Sequence, residues 1–302
     1  MSPRSSGRVA NPDAAVLVVL GAQCEFGNDS PAIPGDRFMR ARYVTPAEVD
    51  RLASDLSDRE FAILETLGRV RLASAVQLER LHLTSGSVRN RRRILQTMTD
   101  RRLVARLDRV VGGRRSGSAG YLYALDVAGL RVLDLKSPNG HPRRPTTPGA
   151  PFVAHVLDVT ELYVRLVEVG LQGDAELLDF QAEPASWRRY PGIGGGTAVV
   201  KPDAYVRLGS GEFEDSWFVE VDRGTESPST LVTKLDTYRA YWSSGKEQAR
   251  RGVFPRVLWL VPNQRRLKVV VDLCARQPAE SWRLHQVTLS DDAVGLMTGA
   301  CA

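Results

Sequence analysis

Residues 217–222 read Trp-Phe-Val-Glu-Val-Asp, an apolar segment that carries two carboxylates. Its apolar side chains are typical of a buried strand, and the two-residue period of a strand places Glu220 and Asp222 on the same face. A carboxylate inside so apolar a strand costs free energy unless it is paired or holds a metal ion. The segment therefore predicts a sheet strand with an acidic site on one of its faces.

Helical and extended patterns surround this segment. The predicted helices cover about residues 155–169, 230–242 and 267–276. The predicted strands cover residues 177–182, 199–208, 217–222, 257–261 and 285–289. This order predicts an α/β domain, in a chain that is α+β overall.

The first half of the chain carries a repeated signal for helix starts. The pattern Ser/Thr-x-x-Glu/Gln occurs at residues 45–48, 57–60 and 74–77, where the hydroxyl can accept from a free backbone N–H and the Glu or Gln side chain can return a bond. A further helix is predicted from residues 84–87 to about Arg101. The residues expected to face inward on it are Val88, Ile94, Leu95 and Met98.

A β-hairpin with a basic tip is predicted next, with strands at residues 103–107 and 121–125 around a loop at 112–117. Helices followed by such a hairpin predict a winged helix-turn-helix. Arginine binds phosphate through two parallel hydrogen bonds and also reads guanine edges. The expected DNA contacts are Ser87, Arg89, Asn90, Arg91, Arg92 and Arg93 on the helix and Arg114 and Arg115 on the hairpin tip.

A winged helix that serves dimerisation or ligand sensing could carry the same basic residues as a solvated face. Because residues 81–99 contain no acidic residue, we favour nucleic-acid binding.

The chain of 302 residues is long enough for two domains, each with its own core. Residues 1–150 contain 24 Lys and Arg against 15 Asp and Glu, whereas residues 151–302 contain 17 against 20. A basic half beside a mildly acidic half predicts a polyanion-binding module next to one that uses carboxylates. The predicted parts are a poorly ordered arm at 1–45, a winged-helix domain at 46–135, a Pro-rich linker at 136–151 and a carboxylate-bearing domain at 152–302.

Composition excludes several classes of protein. No segment approaches the roughly 18 apolar residues of a membrane span, and three widely spaced cysteines support neither a disulfide scaffold nor a zinc site. The apolar run at residues 14–22 is similar to the core of a signal peptide. Asp13 adjoins it, so we favour a packing segment or a loose tail. We expect a cytoplasmic protein without a membrane partner.

A second acidic position accompanies the strand that carries Glu220. Asp203 stands at the head of a neighbouring predicted strand, and two carboxylates that converge from adjacent strands suit an octahedral Mg²⁺, with water and phosphate at its other positions. Lys234, on the following helix, can reach a metal-bound water or the strained phosphate. Glu183 follows another predicted strand and is expected as a further ligand or a proton acceptor.

These residues resemble those of a known group of enzymes. Pro202-Asp203 followed by Glu220-x-Asp222 resembles the PD-(D/E)xK motif of the restriction-endonuclease-like fold, which implies a mixed sheet flanked by helices. The string at residues 220–227, with Lys234 downstream, resembles the plasmid replication-relaxation family of actinobacteria and their phages. That family joins a winged helix to such a domain, so the resemblance spans roughly residues 45–261. The chain is also similar to plasmid mobilisation relaxases that use this fold in place of a catalytic tyrosine.

The resemblance implies metal-dependent nicking or processing of double-stranded DNA at an origin-like site, in plasmid or phage replication, relaxation or mobilisation. It leaves the formation of a homodimer open. The catalytic residues implied are Asp203, Glu220 and Lys234, and the ligands implied for Mg²⁺ or Mn²⁺ are Asp203, Glu220, Asp222 and Glu183.

One residue departs from the nuclease motif, because Asp222 stands where the motif has lysine. On the first hypothesis Lys234 supplies the missing amine and the site is a nickase. On the alternative hypothesis the site is degenerate, and the chain is a DNA-binding regulator or replication accessory protein whose nuclease-like domain serves assembly. Tyr238 and Tyr241 are expected to be core aromatics rather than covalent nucleophiles.

Overall fold

The computed structural model describes residues 44–107, 120–136, 150–173 and 175–299. The predicted arm, apart from its last two residues, and the hairpin tip with Arg114 and Arg115 lie outside this part of the chain. Residues 42–302 form one compact unit. Its described residues have the predicted α+β fold. Among them, no helix has the length and apolar character that crossing a membrane requires.

The helices of the described residues are α1 (Pro46–Asp55), α2 (Asp58–Val70), α3 (Ala75–His82), α4 (Val88–Asp100), α5 (Val127–Lys136), α6 (Ala150–Gln172), α7 (Pro228–Ser243), α8 (Lys246–Arg251), α9 (Gln264–Ala275) and α10 (Ala293–Thr298). The strands are β1 (Leu72–Ser74), β2 (Val104–Leu107), β3 (Leu122–Leu125), β4 (Glu176–Ala182), β5 (Arg188–Pro191), β6 (Thr197–Val200), β7 (Ala204–Ser210), β8 (Phe213–Val221), β9 (Arg256–Val261) and β10 (His285–Leu289).

The N-terminal helices begin where the capping motifs predict. The Thr45 hydroxyl accepts from the Glu48 N–H at 3.2 Å. Ser57 and Ser74 both form complete capping boxes, in which the third residue of the helix bonds back to the cap. Ser87 accepts from the Asn90 N–H at 3.3 Å and starts α4. Four predicted helix starts are therefore confirmed, because each depends on residues three positions apart in the sequence.

A three-stranded antiparallel sheet in the order β1-β3-β2 follows these helices, and the predicted pairing of β2 with β3 is confirmed. Leu95 and Met98 of α4 are buried in the adjoining core as predicted. The prediction for Val88 is wrong, since this side chain is 53 % exposed. Val88 is the first residue of α4, where the helix projects beyond the core that covers its later turns.

The second sheet has five strands in the order β10-β9-β8-β7-β4. β4, β7 and β8 pair antiparallel, whereas β8, β9 and β10 pair parallel. One face, with Trp217, Val219 and Val221 of β8, packs against α6 and α10. The other face, with Phe218 of β8 and Trp259 of β9, packs against α7 and α9. The predicted mixed sheet flanked by helices is confirmed.

Two sequence predictions about element boundaries are wrong at positions that matter for the site. Residues 199–208 are not one strand: β6 pairs with β5 in a separate hairpin, and β7 begins only at Ala204. Pro202 lies in the break, where its missing N–H cannot serve a ladder. Helix α6 begins at Ala150, five residues before the predicted start, so the end of the predicted linker is helical.

Helix α6 joins the two sheets. Its residues Val153 and Val156 share a core with Leu72 of β1 and Leu122 of β3. The Thr160 hydroxyl donates to the Leu72 carbonyl at 2.7 Å.

Arg80 of α3 adds an ionic link to α6. Its guanidinium donates to Glu161 at 2.6 Å and to Glu168 at 2.5 and 2.8 Å. Apolar packing and ionic contacts therefore tie the N-terminal helices to the five-stranded sheet through α6.

Candidate active site and nucleic-acid interface

Asp203 lies opposite Glu220 on adjacent antiparallel strands. Ala204 pairs with Val219, so the next position places Asp203 across from Glu220 on the same face of the sheet. The Asp203 N–H donates to the Val219 carbonyl at 3.0 Å, and Oδ2 of Asp203 accepts from the Val221 N–H at 2.7 Å. These two hydrogen bonds hold the carboxylate of Asp203 beside Glu220, directly before the first residue of β7.

Glu220 is buried, with 2 % of its side chain exposed. Its Oε2 accepts from Nζ of Lys234 at 2.9 Å, and its Oε1 accepts from the hydroxyl of Tyr238 at 2.6 Å. These two donors are four residues apart and share one face of α7. Burial and the negative charge of Asp203 outweigh them and raise the pKa of Glu220 to about 7.

Lys234 bridges two carboxylates, because its Nζ also donates to Oε1 of Glu226 at 2.8 Å. Burial opposes its positive charge, but the charges of Glu220 and Asp203 outweigh burial and raise the pKa of Lys234. The other oxygen of Glu226 is buried and has no hydrogen-bond partner among the described residues. Sequence reasoning did not assign Glu226 a role, although this residue belongs to the string at 220–227.

A histidine from α6 completes the surroundings of Asp203. Nε2 of His155 lies 3.1 Å from Oδ1 of Asp203. Burial alone would lower the pKa of His155, but the hydrogen bond to Asp203 and the negative charges of Asp203 and Glu183 raise it. Glu183 itself pairs with Arg71 at 3.2 Å, at the C-terminal end of α2. The N-terminal helices therefore reach the edge of this acidic site.

Asp222 is engaged by other partners. Its Oδ2 accepts from Nε of Arg266 on α9 at 2.5 Å, and its Oδ1 accepts from the Gly224 N–H at 2.7 Å. Arg266 also donates to the carbonyl of Glu226 at 2.9 Å. Asp222 and Arg266 thus hold the turn that carries Glu226 between β8 and α7.

Asp203 and Glu220 are the residues that could hold a hard divalent cation at this site. Above about pH 7, where Glu220 is ionised, the three carboxylates of Asp203, Glu220 and Glu226 outnumber the two cationic groups of Lys234 and His155. Each oxygen of Asp203 and Glu220 accepts one protein partner, which leaves further lone pairs for a metal. No group of three or more His, Cys, Asp or Glu in the described ranges is arranged to hold a metal ion. Water and phosphate would therefore fill most positions around Mg²⁺.

Tyr238 and Tyr241 are buried in the core next to this site, with 0 % and 1 % exposure, as predicted for packing residues. Their hydroxyls donate to Glu220 and Glu247, respectively. Both hydroxyls therefore orient carboxylates.

Helix α4 presents a basic surface. Arg89, Arg92 and Arg93 are exposed, and Arg93 donates to the side chain of Asn90 at 3.1 Å. Arg89 and Arg92 have no hydrogen bond or ion pair with any described residue. Arg91 instead donates to Glu79 at 3.2 Å and to the Gly86 carbonyl at 3.3 Å. The two unpaired guanidinium groups are therefore available to an external anion.

Comparison with known proteins identifies the family of this chain. A search of curated proteins and a search of solved structures each give no significant match. The family model described as replication-relaxation matches residues 64–257, a span that contains α4, Asp203, Glu220 and Lys234. This match covers more than half of the sequence and confirms the resemblance to this family. The chain belongs to the replication-relaxation family, which links it to plasmid replication or relaxation.

Proposed function

We propose that the protein binds double-stranded DNA through α4 and nicks one strand by metal-dependent hydrolysis. One observation carries the proposal: the ammonium group of Lys234 lies 2.9 Å from the buried carboxylate of Glu220, directly across from Asp203. The order of α6, three antiparallel strands, α7 and a parallel strand supports a restriction-endonuclease-like domain. The order from α2 to β3 supports a winged helix.

On this proposal each residue of the site has a role. A divalent cation at Asp203 and Glu220 would polarise the scissile phosphate and lower the pKa of a bound water. Lys234 keeps its charge and stabilises the negative charge that develops at the phosphate. In this step the attacking water gives its proton to solvent and bonds to phosphorus, while the bond to the leaving oxygen breaks and that oxygen takes up a proton from solvent. Glu226 positions Lys234, and Tyr238 positions Glu220. Lysine is therefore not needed at position 222, where Asp222 holds Arg266 instead.

Nicking of a supercoiled plasmid that carries the cognate origin region tests the catalytic proposal. With Mg²⁺ we expect conversion to the open circle, and Glu220→Gln should reduce the rate at least 100-fold because the variant loses the anionic ligand. Asp236→Asn is the control, since Asp236 is an exposed carboxylate on α7, the helix that carries Lys234. Equal rates for wild type and Glu220→Gln would refute the role of this site.

The salt dependence of DNA binding tests the basic surface of α4. The slope of log K against log salt is negative, and Arg89→Gln combined with Arg92→Gln should reduce its magnitude by about 1.8, at about 0.9 for each lost phosphate contact. Arg265→Gln combined with Lys268→Gln removes the same charge from α9 and should leave the slope unchanged. If the two pairs of substitutions have the same effect, net charge rather than α4 determines binding.

A DNA-binding regulator without catalytic activity is the second candidate function. It is favoured by the protein partners on every carboxylate oxygen of Asp203 and Glu220 and by the pairing of Asp222 with Arg266. Calorimetric titration with Mn²⁺ separates the two functions. The nickase requires binding heat that Asp203→Asn removes, whereas the regulator gives no heat in either protein.

A further inference from the structure

A cavity of about 510 Å³ lies between the β5–β6 hairpin and the helices α7 and α8. Its volume is within the range of about 300–1,000 Å³ that is typical of small-molecule sites. Its lining includes Trp187 and Arg188 from the hairpin side and Tyr241, Lys246 and Arg250 from the helices. The residues assigned above to catalysis and to DNA contact do not line it.

The lining of this cavity carries an excess of positive charge. Arg188, Arg189, Lys246 and Arg250 are cationic, and Glu247 is the acidic residue among the lining residues. The side chains of Arg189, Lys246 and Arg250 are exposed and have no hydrogen bond or ion pair within the part of the chain that the structure describes. Three exposed cationic side chains among the lining residues favour an anion with several oxygens.

The acidic residue of the lining is already engaged. Glu247 is 1 % exposed, accepts from the Tyr241 hydroxyl, and lies 3.0 Å from Nε of Arg251 and 3.8 Å from Nε of Arg188. Glu247 therefore does not neutralise the exposed cations Arg189, Lys246 and Arg250.

Arg188 is a buried cation at this cavity, with 6 % exposure. Its NH1 and NH2 groups donate to Ala185, Trp187 and Gln181, but its Nε is buried without a hydrogen-bond partner among the described residues. Burial and the positive charges of Arg250 and Arg251 lower the pKa of Arg188, whereas its ion pair with Glu247 raises it. An anion at the unbonded Nε would add a hydrogen-bond partner there.

The remaining wall is apolar and aromatic. Trp187 is 37 % exposed, and Nζ of Lys201 lies 4.7 Å from the centroid of its ring. Tyr241 and Val199 extend this wall. Aromatic side chains beside a cationic groove are the means by which proteins stack a nucleobase and hold its phosphate.

We propose that this cavity binds a nucleoside phosphate, with the phosphate at Arg189, Lys246 and Arg250 and the base against Trp187. Tyr241 lies seven residues after Lys234 on α7, which is about 10 Å along the helix axis. A nucleotide in the cavity therefore lies close to the carboxylate site. That this nucleotide is the end of a DNA strand rests on the proposed function, whereas the affinity of the cavity for a nucleoside phosphate does not.

Calorimetry of the full chain in EDTA tests the proposal. The probes are adenosine, adenosine 5′-monophosphate, inorganic phosphate, and a trinucleotide with and without a 5′-phosphate. We expect the monophosphate to bind at least tenfold more tightly than adenosine or phosphate alone. Lys246→Gln combined with Arg250→Gln should weaken monophosphate binding at least tenfold. The control pair Arg265→Gln and Lys268→Gln, on exposed positions of α9, should change it less than twofold.

The trinucleotides identify the source of the ligand. Tighter binding of the 5′-phosphorylated form supports a strand end, and binding of the monophosphate alone supports a free nucleotide. The proposal is overturned if the monophosphate gives no heat, or if Lys246→Gln with Arg250→Gln binds it as wild type does. Glu220→Gln should retain monophosphate binding, so a failure of the nickase and a failure of this cavity give different results.

Discussion

Replacing Lys234 by methionine removes a positive charge from a buried carboxylate while it keeps most of the apolar stem of the side chain. Breaking a buried ion pair costs about 3–5 kcal/mol, because the remaining charge is left uncompensated. Lys234 is 31 % exposed, so water screens part of this interaction, and Tyr238 still donates to Glu220. We expect Lys234→Met to lower the free energy of unfolding by about 2–3 kcal/mol at pH 8.

The loss should depend on pH in a defined direction. The folded protein holds a proton on Glu220 up to about pH 7, whereas the unfolded chain releases it near 4.5. The free energy of unfolding therefore falls as the pH rises across this window. Without Lys234 the pKa of Glu220 rises further, so the variant loses more stability above pH 7 and much less at pH 5.5, where the carboxyl group is neutral in both proteins.

Urea denaturation of wild type, Lys234→Met, Glu220→Gln and the double variant at pH 5.5 and 8 measures these effects. The double variant should be more stable than Lys234→Met at pH 8, because it no longer buries an unpaired charge. A loss below about 1 kcal/mol for Lys234→Met at pH 8, or an equal loss at both pH values, would refute the energetic coupling of Lys234 and Glu220.

Three further predictions concern other parts of the fold. Burial lowers the pKa of His285 to about 4, so its contribution to stability is fully present above pH 6.5 and is lost as the pH falls toward 4. In urea titrations His285→Asn should therefore lose less stability than wild type between pH 6.5 and 4. Equal losses in the two proteins would contradict this prediction. Arg80→Met leaves Glu161 and Glu168 without their shared cation and should lower the urea midpoint by an amount equivalent to about 1–2 kcal/mol. Arg80→Lys should lower the midpoint less. Equal midpoints for all three proteins would show that the ionic link between α3 and α6 is energetically neutral. Ser57→Ala removes a capping box and should cost about 1 kcal/mol in the same assay, and an unchanged midpoint would show that the cap adds nothing.

Local signals explain which parts of the fold the sequence predicts well. The starts of α2 and α3 depend on Ser57 and Ser74 and on partners three residues away, so the amino-acid pattern is sufficient to locate both helices. Likewise, the two-residue alternation in β8 places Val219 and Glu220 on opposite faces of the sheet.

Tertiary contacts explain what the sequence does not reveal. The sequence shows the proline at position 202, but it does not show that the chain leaves the main sheet there. That change depends on the pairing of β6 with β5 in a separate hairpin. The partner of Asp222 is Arg266, 44 positions away, and nothing in the local pattern connects them. The nuclease motif has its lysine at position 222, whereas in the structure Lys234 on α7 supplies the amine and also contacts a second carboxylate, that of Glu226.

The shared core between α6 and the small sheet has a consequence for substrate geometry. Val153 and Val156 of α6 pack under β1 and β3, and His155, between them in sequence, contacts Asp203. Helix α6 thus connects the three-stranded sheet of the N-terminal region to the carboxylates of Asp203 and Glu220. On the proposed function, α6 therefore fixes the distance from the bound DNA motif to the nick at a constant number of base pairs. A five-base-pair insertion would turn the scissile phosphate to the far side of the duplex and out of reach.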